Sequence, residues 1–144
     1  MSFDTEPKPE TGIHSLLRVR MSEHDVHYGG GLVDGARVLA LFGDAVTELM
    51  IRHDGDEGLF RAYESIEFLA PIHAGDYLEI RAELLEVGHT SRKVRCTAHK
   101  VIQPAYHING SAAEVLQKPV LVATAVGTAV VLPDRQRYRR ESTQ

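Results

Sequence analysis

Residues 32–52, LVDGARVLALFGDAVTELMIR, constrain the chain more than any other stretch. Good helix formers dominate them, and apolar side chains recur around most of the helical circumference. A helix apolar on nearly every side has to be wrapped by other elements. Asp34 stands where an N-cap carboxylate accepts an orphan N–H of the first turn. Gly43 falls mid-helix, at about 1 kcal/mol relative to Ala, and its missing side chain suits the close approach of a strand. His53-Asp54-Gly55-Asp56 is turn chemistry that ends the helix.

The wrapping material reads as strands. Leu17, Val19 and Met21 alternate with Arg18 and Arg20, predicting a half-buried strand over 14–21. Residues 59–70 are rich in strand formers and stop at Pro71; residues 76–87 and 90–102 alternate around the Gly88-His89 turn. Residues 104–118 are expected to form an excursion loop, with a turn at Asn109-Gly110 and a short helical turn at 112–116. The β-branched run 120–132 predicts a central strand. One strand, one buried helix and four strands give an α+β chain, an antiparallel sheet around a single helix. Such a sheet leaves an edge or a face uncovered, which predicts a homo-oligomer. The domain is expected over 13–133, between a flexible polar arm (1–12) and a basic tail (134–144).

Composition narrows the function. A chain of 144 residues makes one domain. Its formal net charge of −4 speaks against nucleic acid. One cysteine, Cys96, excludes a disulfide framework and a multi-cysteine metal site, and it alternates with Arg95 and Thr97 as a core position. The histidines show no spacing such as HExxH, so no metal is expected. No stretch is apolar and long enough to span a membrane, and the amino terminus lacks the order of a secretory signal, so a cytoplasmic protein is expected.

The stretch HDVHYGGGLVDGARVLALFGDAVTELM (24–50) resembles the hotdog-fold acyl-CoA ammonia lyases, those acting on 3-aminobutyryl-CoA foremost and on β-alanyl-CoA next. The likeness continues through Asp54-Gly55-Asp56, Leu59-Phe60, Ile66-Glu67-Phe68, Ala70-Pro71, Ala74-Gly75-Asp76 and Val87-Gly88, and returns at 125–128. It covers about 16–132 and implies a hotdog fold and a dimer or hexamer. It also implies loss of ammonia from a 3-aminoacyl-CoA, as from 3-aminobutyryl-CoA to crotonyl-CoA in lysine fermentation, with no cofactor beyond the coenzyme A of the substrate. Hotdog thioesterases often carry an acid two turns into the helix and an amide in the preceding loop. Here those places fall near Phe42 and His27, which favours the lyase over a hydrolase. A thioesterase and a non-catalytic acyl-CoA sensor are the alternatives.

Elimination needs a base for the proton beside the thioester carbonyl, donors for the oxygen as charge builds there, and an anion for the substrate ammonium. Gly35 and Ala36, at the helix start, are the candidate donors; Gly35 equally suits tight packing. Asp34, Arg37, Asp44 and Glu48 share one sector of the helix roughly 80° wide. Glu48 is the first candidate base and Asp44 the second. An ion pair of Arg37 with either acid is the other reading. Asp34 serves as cap or acid. His27 and Tyr28, in the loop ahead of the helix, are candidates for proton relay and substrate hydrogen bonding. Thr90, Ser91, Arg92 and Lys93 are candidates for coenzyme A phosphates, or an ordinary charged hairpin.

Overall fold

The structure is a computed structural model in which residues 14–138 are described. Its elements are β1 (His14–Arg20), β2 (Val26–Tyr28), β3 (Leu32–Val33), α1 (Gly35–Asp54), β4 (Leu59–Phe68), β5 (Tyr77–Val87), β6 (Ser91–Pro104) and β7 (Ala113–Val130). Five strands form one antiparallel sheet in the order β1-β5-β6-β7-β4, and β2 and β3 form a small separate ribbon. The arm 1–12 and the end of the basic tail, 139–144, lie outside the described residues.

Alternation builds the core. Leu78, Ile80 and Ala82 on β5 and Val94, Cys96 and Ala98 on β6 all point to one face and are buried. They meet Val38, Phe42, Ala45, Leu49 and Met50 of α1. The sheet covers one side of the helix, while Ala36, Ala40, Asp44, Thr47 and Ile51 stay exposed, so the apolar surface is a broad stripe and not the nearly full circumference expected. Burial pushes the Cys96 thiol up to about 12, so it packs as a small hydrophobe.

Both ends of α1 are fixed by local chemistry. Asp34 has extended backbone and its carboxylate accepts the Arg37 N–H at 3.3 Å. Gly55, in the left-handed region at φ 72°, ends the helix, and its N–H donates to Ile51 O at 2.8 Å. There, Arg92 is fully buried and donates to both Asp54 carboxylate oxygens, at 2.8 and 3.0 Å. The same guanidinium donates to Gly88 O and Ser91 O, so it locks the β5–β6 turn to the helix end.

Three sequence expectations are corrected here. Residues 112–116 are not helical: β7 begins at Ala113 and pairs with β6 at Pro104. The Asn109 carboxamide oxygen accepts the Ser111 N–H at 2.9 Å, which turns the chain tightly enough for strand pairing to override helix propensity. The excursion accordingly shrinks to 105–112. Gly43 faces open space and accommodates no strand.

Burial alone would push the Asp54 carboxyl up, but hydrogen bonds and charge from His53 and Arg92 outweigh it and hold the pKa below the usual 3.8. The stability this confers is complete above the unfolded value and is lost as pH falls through the lower folded one. Asp54→Asn is expected to remove that acid-side loss in denaturation curves measured across pH 2–5. Arg92→Ala leaves a buried carboxylate without its guanidinium and should cost about 3–5 kcal/mol in urea unfolding.

Candidate functional site

The ribbon ahead of α1 is assembled from short-range polar contacts. Ser22 and Asp25 cap each other's turn, with Ser22 N–H donating to Asp25 Oδ2 at 2.8 Å. Gly30 and Gly31 take φ values of 77° and 76°, which turn the chain back from β2 to β3. The ribbon then leans on residues 72–74: Val33 N–H donates to Ile72 O at 2.8 Å and Ala74 N–H to Gly31 O at 3.0 Å. That support is itself tied down. The buried Asp76 carboxylate accepts the His73 N–H at 2.7 Å and pairs with Lys100 at 3.2 Å.

This arrangement sets His27 and Tyr28 beside the amino end of α1. His27 Nδ1 lies 3.7 Å from Asp34 Oδ2, and the His27 and Tyr28 rings meet edge to face at 4.7 Å. The other Asp34 oxygen caps the Arg37 N–H. The N–H groups of Gly35 and Ala36 have no carbonyl behind them within the helix. They stand at its positive end, where an oxygen gathering negative charge is stabilised.

A cavity of about 450 Å³ opens there, lined among others by Tyr28, Asp34, Gly35, Val38, Phe68 and Val122. Asp34 is the one charged residue in a lining that is otherwise mainly apolar. Gly35 has a packing role as well: a Cβ at this position would fall 2.4 Å from Phe68 Cζ.

Of the residues singled out from sequence, Asp34, Gly35, Ala36, His27 and Tyr28 come together. Others do not. At 1.5 Å of rise per residue, Asp44 is about 14 Å and Glu48 about 20 Å along α1 from Gly35. Neither carboxylate reaches an acyl carbon held at the helix start of its own chain. Glu48 instead pairs with Arg52 at 2.7 Å, one turn on. Arg37 pairs with Asp25 at 3.0 Å rather than with Asp44 or Glu48.

Thr90, Ser91, Arg92 and Lys93 sit at the opposite end of α1, about 30 Å from the cavity along the helix axis. Arg92 is committed to Asp54, and Lys93 lies 3.3 Å from Glu64 and 3.8 Å from Glu86. Within one chain this hairpin is separated from the cavity. Among the described residues no His, Cys, Asp or Glu side chains group as a metal site.

Sequence reasoning missed Phe68 as a site residue and ranked Asp25 below His27 and Tyr28. The signal for Phe68 was present: it opens the apolar run Phe68-Leu69-Ala70-Pro71-Ile72, whose members all line the cavity. The pairing of Asp25 with Arg37 carried none, since it lies across a ribbon that sequence alone did not reveal.

The cap itself is testable through stability. Asp34→Ala is expected to cost about 1 kcal/mol and Asp34→Asn only a few tenths, since an amide oxygen caps nearly as well. Urea denaturation of the two variants checks the difference.

Comparison with known proteins bears on the family and the fold. The thioesterase superfamily matches residues 30–103. A 3-aminobutyryl-CoA ammonia lyase of Acetoanaerobium sticklandii is 58% identical over 123 residues, covering 85% of this chain and 98% of that one. The solved β-alanyl-CoA:ammonia lyase from Clostridium propionicum has a TM-score of 0.84 at 37% identity, covering 93% of this chain and 95% of that one. A hexameric hotdog fold thioesterase of Campylobacter jejuni shares the fold, with a TM-score of 0.68 at 18% identity over 94% and 90% of the two chains. The chain thus belongs to the hotdog-fold thioesterase superfamily and, within it, to the acyl-CoA ammonia lyases.

Proposed function

We propose that the cavity at the start of α1 eliminates ammonia from a 3-aminoacyl-CoA thioester, converting 3-aminobutyryl-CoA to crotonyl-CoA. The observation that carries this reading is one carboxylate, Asp34, set in a mainly apolar cavity beside the positive end of a helix. A substrate with an ammonium two carbons from a thioester carbonyl matches both features at once. The 58% identity to a lyase of this name supports the same substrate class.

In this mechanism the carbonyl oxygen accepts the N–H groups of Gly35 and Ala36, and the ammonium lies against Asp34 Oδ2. His27, 3.7 Å from that oxygen, takes the proton from C2. The electron pair moves first towards the carbonyl oxygen, where the helix end stabilises the enolate. It then forms the C2–C3 double bond as the C3–N bond breaks, and ammonia departs with the bond electrons. Tyr28 donates to the substrate from beside His27. The apolar lining keeps water from the thioester.

We propose that the protein works as a homo-oligomer, a dimer or hexamer, in the cytoplasm, where coenzyme A thioesters are metabolised. The outer edge of β4 has no strand beside it among the described residues, a condition that a second copy relieves. Asp44 is exposed and Glu48 half-buried, which leaves both within reach of a second copy. In an oligomer Thr90 to Lys93 can likewise serve a neighbouring subunit's nucleotide, with Arg92 held in the Asp54 clamp.

Incubation with 3-aminobutyryl-CoA is expected to give ammonia and enoyl-thioester absorbance in equal amounts without free thiol. Thiol release would instead select a thioesterase, and binding without turnover a sensor. His27→Ala and Asp34→Asn are each expected to lower kcat about a hundredfold, with Glu48→Gln near wild type. Loss of activity in Glu48→Gln with His27→Ala still active would transfer the base role to a carboxylate from a second copy.

A further inference from the structure

The cavity contains one large ring that the chemistry above does not use. Phe68 ends β4, the outermost strand on its side of the sheet, directly opposite Ala123 of β7. From there the ring lines the cavity and packs on the first turn of α1. Its Cζ, Cε1 and Cε2 would lie 2.4, 2.6 and 2.9 Å from a Cβ built on Gly35. The ring is therefore seated on Gly35, with no space for a methyl group between it and the helix. Phe68 is nonetheless 54% exposed, so most of its surface faces the cavity and solvent rather than the core.

The position relative to the reacting atoms follows from the Gly35 contact. A carbonyl oxygen held by the Gly35 and Ala36 N–H groups places C2 and C3 within a few ångströms of the helix start. The acyl tail beyond C3 must then run along the aromatic wall. Val38 and Val122 complete the apolar surround. Neither reaches the helix start as the ring does, because one sits a turn further on and the other on the sheet.

We propose that Phe68 is the residue that sets acyl-chain length: its ring closes the cavity just beyond the fourth carbon, admitting short 3-aminoacyl thioesters and excluding longer ones. This rests on the lyase reading above. It assigns Phe68 a role in specificity and none in proton transfer. Added or removed methylenes in an apolar pocket change kcat/KM by about ten- to two-hundredfold, so the effect is large enough to read directly.

The test measures ammonia release from 3-aminobutyryl-CoA and 3-aminohexanoyl-CoA by the wild type, Phe68→Ala and Phe68→Leu. The kcat/KM ratio of the six-carbon to the four-carbon substrate is expected to rise at least about tenfold in Phe68→Ala and less in Phe68→Leu. A purely structural role would lower both substrates together and leave the ratio unmoved, which overturns the proposal. If Phe68→Ala does not fold, the rise in Phe68→Leu carries the test, and an unchanged ratio there overturns it equally. If the wild type releases ammonia from neither substrate, the lyase reading fails and this inference with it. Wild-type activity with unchanged ratios overturns the inference alone.

Discussion

The amino end of one buried helix is the constraint on which the rest depends. Its first N–H groups cannot be satisfied from within, and its dipole makes them a concentration of positive potential. Most proteins cover such an end or leave it to water. Here Asp34 satisfies one donor, the Arg37 N–H, while the cavity opens beside Gly35. The glycine turn of the ribbon and the buried Asp76–Lys100 pair hold the segments that flank that end. An oxygen that gains charge in the reaction finds donors already aimed, which is where electrostatic catalysis gains most.

The other end of α1 has the opposite character. Arg92, Asp54 and His53 form a closed polar cluster with almost no contact with solvent, and the guanidinium also takes two turn carbonyls. A buried ion pair adds little net stability over an apolar substitute but is costly to break. Its value is positional: it fixes the helix axis against the β5–β6 turn. The polar groups of the helix are thus divided, with the satisfied cluster at one end and the proposed reactive one about 30 Å away at the other.

Much of the fold was legible because burial imposes periodicity. The long helix α1 with its apolar stripe, the alternation of β5 and β6, and Asp34 as cap could all be read from local order. The short ribbon of β2 and β3 could not, since its pairs, Val26 with Val33 and Tyr28 with Leu32, depend on the glycine turn and on support from 72–74. Residues 112–116 misled because Ala-Ala-Glu-Val-Leu suits a helix locally, and strand pairing with β6 decides otherwise. At the site, the helical wheel grouped Asp34, Arg37, Asp44 and Glu48 by angle but ignored rise. Angle places groups on one face, whereas chemistry needs them at one height. Arg92 looked like an exposed hairpin cation; it is inward-facing in the same alternation that buries Val94 and Cys96, and Asp54 makes that burial possible.

The central claim is that the start of α1 polarises the thioester carbonyl. Infrared difference spectroscopy of bound butyryl-CoA carrying a ¹³C carbonyl tests it most directly, because the analogue lacks an amine to eliminate. Two N–H donors at the positive end of a helix should lower the carbonyl stretching frequency below its value in water. A bound carbonyl whose band stays at or above its solution position would contradict the account.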